Sequence, residues 1–196
     1  MTIKTDILFA GVGGQGVLSI ASLIAAAAVS QKLQVKQGEV HGMAQRGGAV
    51  QACLRISDQP IHSDLVAQGT ADAILSLEPV EALRYLPWLG PDGTVATALD
   101  PFTNIPNYPP MEEITAKLRQ LPRVILVEAE HLAKAAGSVR TSNVVMVGAC
   151  AHLLPMPPEV LEEMIRLMFE RKGPKMVDVN LRAFAAGREA AQCANS

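Results

Sequence analysis

Residues 6–16 read DILFAGVGGQG and decide the fold. The run before the first glycine is short and mostly apolar, which is typical of a buried strand. Gly11, Gly13 and Gly16 then satisfy the pattern G-x-G-x-x-G, and residues 17–30 carry apolar side chains at the spacing of a buried helix. Strand, glycine turn and helix in this order predict the first βα unit of an α/β protein.

Further strand and helix patterns alternate along the chain. Strands are predicted at 6–10, 34–40, 49–56, 71–77, 94–99 and 124–127. Helices are predicted at 16–30, 78–88, 111–121, 144–154, 158–169 and 180–191. This alternation predicts a mostly parallel, doubly wound sheet with a helical C-terminal part. A length of 196 residues without an internal repeat predicts a single domain over residues 1–196.

The composition is that of a globular protein without a nucleic-acid or membrane signature. Hydrophobic residues form 49% of the chain, and 17 Lys and Arg stand against 19 Asp and Glu, so no nucleic-acid partner is expected. No apolar run has the length of a membrane span or of a secretory leader. Cys53, Cys150 and Cys193 are odd in number and widely spaced, which predicts no metal or cluster site in this chain and a cytoplasmic location.

The glycine turn has two interpretations. Backbone N–H groups at the start of a helix attract anions, and a glycine-rich turn lets a ligand or a partner approach the backbone closely. Alternatively, the glycines only permit a tight turn and close helix packing. A dinucleotide site also needs an acidic residue about 20 positions on, but the nearest candidate, Glu39, lies 28 positions after Gly11. The preferred hypothesis is a ligand or partner site comprising Gly11, Gly13, Gly14, Gln15 and Gly16.

A second polar stretch, EVHGMAQRGG at residues 39–48, lies between two predicted strands. Arg46 offers a planar guanidinium that binds carboxylate or phosphate through two N–H groups, and the glycines after it allow the chain to turn. The histidine is interpreted as a structural hydrogen-bonding group or as a proton carrier. No nucleophile elbow, metal-ligand spacing or Walker-type lysine accompanies these residues, so no catalytic residue is assigned. The predicted binding residues of this stretch are His41, Gln45, Arg46, Gly47 and Gly48.

The string RTSN at residues 140–143 stands directly before an apolar helix. One of Thr141, Ser142 and Asn143 is therefore expected to cap that helix. Because the N–H groups that a cap satisfies can also receive an anion, ligand binding at Asn143 is the alternative.

Two other segments have a structural interpretation. Residues 100–110 contain four prolines, which predicts an extended loop that contacts a partner. Glu78 and Glu81 are expected to favour the start of a helix and to share a solvated ion-pair face with Arg84, rather than to act as paired acid and base.

Five segments carry a family resemblance, in the order GVGGQG, EVHGMAQRGG, LVAQGTADAILSLEPVEALRYL, RTSNVVMVGA and NLRAFAAG. Together they span nearly the whole chain and resemble the gamma-domain family of pyruvate and 2-oxoacid:ferredoxin oxidoreductases. The form HGMAQRGG is similar to the indolepyruvate-type beta subunits of that family, whereas many other relatives carry a tyrosine-containing version.

The resemblance implies a three-layer α/β/α Rossmann-like domain that serves as an accessory subunit. The family oxidatively decarboxylates a 2-oxoacid, here indolepyruvate or another arylpyruvate, to an acyl-coenzyme A and passes the electrons to ferredoxin. This chain has neither a thiamine signature nor cysteines at cluster spacing. Thiamine diphosphate, magnesium and iron–sulfur clusters are therefore expected in a larger alpha subunit, with coenzyme A as cosubstrate of the complex. The isolated chain is expected to be inactive, and whether it forms a homodimer is left open.

Two other functions remain as alternatives. One is a free-standing nucleotide- or dinucleotide-binding α/β enzyme that uses the GVGGQG turn. The other is a scaffold that keeps the fold without an enzymatic role. A stable complex with a large, cluster-bearing subunit would separate the first hypothesis from both.

Overall fold

The computed structural model describes residues 2–41, 47–103 and 105–194. Their strands form a six-stranded sheet in the order β2-β3-β1-β4-β5-β6. The strands are β1 (Lys4–Val12), β2 (Gln34–His41), β3 (Ala49–Ser57), β4 (Ala71–Ser76), β5 (Leu89–Ala98) and β6 (Val124–Val127). The helices are α1 (Val17–Ser30), α2 (Pro79–Arg84), α3 (Met111–Leu118), α4 (Ala129–Ala136), α5 (Ser142–Cys150), α6 (Pro158–Phe169) and α7 (Pro174–Ala194).

The sheet is mostly parallel, as the alternation of strands and helices predicted. β1, β4, β5 and β6 pair with one another in parallel. β3 runs antiparallel to both of its neighbours, β1 and β2. The predicted class is therefore confirmed, but the antiparallel strand inserted beside β1 is not part of the simple alternating pattern.

Helices cover both faces of the sheet and give the three layers that the resemblance implied. One face of the strands packs against α1, α4, α5, α6 and α7, with Phe9 and Phe184 fully buried there. The other face packs against α2 and α3 through Leu8, Ile74 and Leu118. Burial of such side chains stabilises the fold by about 25 cal/mol for each Å² of apolar surface.

Several element boundaries differ from the predicted ones for local reasons. The helix predicted at 78–88 ends at Arg84, and a short 3-10 turn, Leu86–Trp88, follows it. Pro87 lacks the N–H that a continuing helix would need. The C-terminal helix begins at Pro174 rather than at 180, since proline is favoured in the first turn of a helix. Helix α4 was not predicted, because its eight residues form too short a periodic segment.

Helices α5 and α7 cross with their backbones in contact. A Cβ atom added at Gly148 would collide with the carbonyl oxygen of Phe184, and one added at Gly187 would collide with that of Val145. Both glycines are thus required for the close crossing. That residues 1–196 form a single domain stays a prediction.

Candidate functional site

The structure brings the glycine turn and the end of the EVHGMAQRGG stretch together. The Gly13 N–H donates to the Gly48 carbonyl oxygen at 2.8 Å, and the Gly47 N–H donates to the Gly13 carbonyl oxygen at 3.2 Å. These bonds extend the pairing of β1 with β3 into the turn. Of the other residues predicted in this stretch, Gln45 and Arg46 lie outside the described residues, as does the side chain of His41.

Gln15 joins the ends of two parallel strands. Its Oε1 accepts a hydrogen bond from the Val12 N–H at 2.8 Å, and its Nε2 donates to the Leu77 carbonyl oxygen at 3.0 Å. A Cβ at Gly11 would lie 2.9 Å from that Oε1 and 2.8 Å from Cγ2 of Val17. Gln15 and Gly11 thus form a closely packed connection within the chain, and the carboxamide of Gln15 is engaged there at both ends.

Gly16 begins α1 and meets a residue from the C-terminal half of the chain. Its φ is +87°, and no side chain caps the helix that it starts. A Cβ at this position would lie 2.5 Å from Nδ2 of Asn143. Asn143 is half-buried in the first turn of α5, and its side chain makes no hydrogen bond within the described residues. The structure thus places Asn143 against the glycine turn, as a shared site would require.

The side-chain cap predicted for α5 is not formed by the residue at the cap position. Thr141 occupies the N-cap position, but no side chain caps the helix. The Thr141 hydroxyl instead donates to the Ser138 carbonyl oxygen at 2.8 Å. Within the described residues, the N–H groups at the start of α5 therefore receive no side-chain cap.

A crevice with a volume of about 340 Å³ opens beside the glycine turn. It lies beyond the carboxyl ends of β1, β4 and β5, where ligands and partners bind in open α/β sheets. Its walls also include the first turns of α4 and α5. The lining residues are Gly13, Gly14, Gln15, Leu77, Ala98, Asp100, Phe102, Ala129, Glu130, Ser142 and Met146.

The charged side chains that line the crevice are acidic. Oδ2 of Asp100 accepts a hydrogen bond from the Glu130 N–H at 3.0 Å and so caps α4 from another element. Burial raises the pKa of Asp100 above its usual value, and hydrogen bonds from the N–H groups of Glu130 and Ala129 oppose that rise. Among the described lining residues none is basic. The described charges on this wall are therefore negative.

A second cavity, of about 160 Å³, lies against Val12 and Gly47 and borders the buried residue Glu78. The Glu78 carboxylate accepts hydrogen bonds from the Glu81 N–H at 2.9 Å, the Phe102 N–H at 3.4 Å and the Tyr108 hydroxyl. It thus caps α2, as predicted, and also holds the proline-rich loop. The second role could not be inferred from sequence, because Tyr108 lies 30 positions away.

Glu81 pairs with Arg84, but the pair is less solvated than predicted. The Arg84 Nε lies 3.0 Å from Oε2 of Glu81, whose side chain is only 8% exposed. Burial raises the pKa of Glu81, and the hydrogen bond from Arg84 opposes that rise. The carboxylates of Glu78 and Glu81 are both engaged, which supports their structural interpretation.

The described residues contain no group of three or more His, Cys, Asp or Glu side chains placed to hold a metal ion. Among the same residues, none of the helices combines the length and the apolar character needed to cross a membrane. The three cysteines are free thiols, and Cys53 and Cys150 are buried. Burial also raises the pKa of the Cys150 thiol, which disfavours the thiolate that a cluster would need.

The sheet, the glycine turn and the crevice define a Rossmann-like α/β protein with a crevice at the carboxyl ends of its strands. The model of the pyruvate ferredoxin/flavodoxin oxidoreductase family matches residues 6–190. The chain belongs to this family, and it is an oxidoreductase subunit, as the sequence motifs predicted.

Its relatives agree in length as well as in sequence. The chain is 41% identical to indolepyruvate oxidoreductase subunit IorB of Pyrococcus horikoshii, over 95% of this chain and 96% of the relative. It is also 41% identical to the subunit of the same name in Archaeoglobus fulgidus, over 94% of each chain. The crystal structure of a keto/oxoacid ferredoxin oxidoreductase gamma subunit from Geobacter sulfurreducens has a TM-score of 0.70 and 26% identity, covering 96% of this chain and 99% of that chain.

Proposed function

We propose that this chain is the small subunit of an indolepyruvate:ferredoxin oxidoreductase and acts beside a larger catalytic subunit. The observation that carries this proposal is the 41% identity with an indolepyruvate oxidoreductase subunit over 95% of this chain. In the overall reaction the 2-oxoacid loses its carboxyl group as CO₂, two electrons pass to ferredoxin, and the acyl group is transferred to the thiol of coenzyme A.

The cofactors of this reaction belong in the larger subunit. An iron–sulfur cluster is held by closely grouped cysteine thiolates. In this chain Cys53 lies in β3 and Cys150 at the end of α5, while Cys193 is exposed near the end of α7. The described residues therefore do not fit a cluster, nor the magnesium ion of thiamine diphosphate. The described residues of this chain contribute a folded surface that includes the glycine turn and the crevice.

The dinucleotide-binding alternative is opposed by the sheet order. In that type of site the acidic residue stands at the tip of the strand next to the glycine strand. Here Glu39 lies on β2 and pairs with Ala52 of β3, which in turn pairs with Phe9 of β1. β3 thus separates Glu39 from β1. Glu39 also stands level with the middle of β3 and not at a strand tip, where a dinucleotide site needs the acidic residue.

Purification of an affinity-tagged copy of this chain from its native cells tests the proposal. We expect a larger chain to copurify, and the complex to reduce a viologen dye with indolepyruvate and coenzyme A. The value of kcat/KM should be at least roughly tenfold higher for indolepyruvate than for pyruvate or 2-oxoglutarate. A hydrophobic pocket shaped for one side chain discriminates between substrates by about this factor. A preference for pyruvate would contradict the assigned substrate, and the absence of any larger partner would contradict the assigned role.

A further inference from the structure

The proline-rich loop between β5 and α3 presents apolar side chains to solvent beside the crevice. Phe102 is 40% exposed and Ile105 is 44% exposed. Phe102 lines both the crevice and the second cavity. In the described part of the chain it is the one aromatic residue among the exposed large hydrophobic side chains. Single exposed apolar residues are common, but two in one loop at the mouth of a cavity indicate a contact surface.

Hydrogen bonds tie described residues of this loop to the starts of α2 and α4. Glu78, which is 2% exposed, accepts from the N–H of Phe102 and from the hydroxyl of Tyr108. At the start of the loop, Asp100 accepts from the N–H of Glu130. The backbone of Phe102 is thus tied to Glu78, so ordering this residue costs less when a partner binds its ring.

The charge around Phe102 indicates what kind of partner fits. Asp100 follows β5 and lies near Glu128 and Glu130, which stand at the start of α4, and the two glutamates are exposed. None of the three makes an ion pair within the described residues. Unpaired carboxylates attract Lys or Arg and repel phosphate.

We propose that Phe102, Ile105 and these carboxylates form the docking surface for a basic and apolar segment of the large subunit. A Lys or Arg of that segment meets Glu128 and Glu130, and an apolar side chain enters the crevice beside Phe102. The inference rests on the proposed function, since it takes the large subunit as the partner.

Binding of the purified large subunit to variants of this chain tests the docking surface. Phe102→Ser removes the exposed ring, and Glu130→Lys reverses one charge. Each should raise the dissociation constant by roughly tenfold or more, because residues at the centre of an interface carry most of the binding energy. The affinity of the wild type should fall with added salt, and Glu130→Lys should reduce that salt dependence.

Each variant has a matched control elsewhere in the chain. Glu159 is an exposed first-turn glutamate of α6 that makes no ion pair within the described residues, so Glu159→Lys repeats the charge and helix effects of Glu130→Lys. Leu65 is a 55% exposed loop residue whose carbonyl oxygen accepts from Arg55, toward the opposite end of the sheet. Glu159→Lys and Leu65→Ser should bind within about twofold of the wild type.

The possible outcomes separate this inference from the proposed function. If the wild-type chain does not bind the large subunit, the proposed function fails and the docking surface with it. If the wild type binds and Phe102→Ser and Glu130→Lys bind equally well, only the docking surface is wrong. A third outcome is that the isolated chain binds ADP saturably, and that Phe102→Ser abolishes this binding without changing the affinity for the large subunit. The crevice would then be a nucleotide site, and the inference would be overturned.

Discussion

At the scale of single residues, Gln15 illustrates how a motif residue can serve the fold. Both ends of its carboxamide bond to backbone groups, at Val12 and at Leu77. A carboxamide can accept at its oxygen and donate at its nitrogen, whereas a carboxylate only accepts. The junction of the two strand ends therefore depends on an amide at this position.

We predict that Gln15→Glu destabilises the isolated chain by about 1–3 kcal/mol, because the Leu77 carbonyl loses its donor and faces a negative charge. Thermal and urea unfolding of the isolated chain measure the loss. Gln59→Glu is the control, since Gln59 is exposed and its side chain makes no hydrogen bond within the described residues. Equal stability of Gln15→Glu and the wild type would show that the two hydrogen bonds are dispensable.

The sequence motifs predicted which residues belong to the candidate site, but they did not predict which residues these contact. The glycine turn and the residues after Arg46 were predicted to be functional, and the structure joins them through Gly13 and Gly48. Asn143 was chosen as a helix-start residue, and its contact with Gly16 depends on packing between segments far apart in sequence. Local patterns carry information on turns and caps, whereas long-range contacts arise only when the sheet and helices assemble.

At the scale of elements, the crossing of α5 and α7 brings two helix backbones into direct contact. Gly148 of α5 lies against the carbonyl of Phe184, and Gly187 of α7 lies against the carbonyl of Val145. Both helices pack on the sheet face that also carries α1. Because the obstructing atoms belong to backbone, a side chain at either glycine can be accommodated only if a helix moves.

We predict that Gly148→Ala and Gly187→Ala each destabilise the chain by about 3 kcal/mol, which is the upper end of the usual loss when a core is overpacked. This loss opposes the gain of about 1 kcal/mol that alanine brings to a helix interior. Urea unfolding measures both changes. The reverse substitution at the exposed residue Ala185 of α7, Ala185→Gly, measures the propensity term alone. A stabilised Gly187→Ala variant would contradict the close crossing.

The elements themselves were predicted with uneven success for physical reasons. β1, β4 and α6 have clear apolar patterns and lie close to their predicted positions, whereas α7 begins at Pro174 rather than at 180. The direction of β3 was not predicted, although its alternating residues are more typical of an antiparallel strand. The short helix α4 depends on a cap from Asp100, a residue 30 positions earlier in the chain.

At the scale of the whole molecule, the fold class followed from the alternation of strands and helices, and the family followed from five ordered motifs. The docking surface could not have been predicted in the same way. It combines a loop after β5 with the start of α4, and a buried carboxylate at the start of α2 fixes the loop. Each of these segments looks like an ordinary cap or loop when considered alone.

Complementation of separately purified chains tests whether the two subunits divide the reaction between them as proposed. Viologen reduction with indolepyruvate and coenzyme A is measured for this chain, for the large subunit and for an equimolar mixture of the two. We predict that iron remains with the large subunit, that this chain alone shows no turnover, and that the mixture restores activity at least roughly a hundredfold over the large subunit alone. Full turnover by the large subunit without this chain, or iron and turnover in this chain alone, would contradict this division of roles.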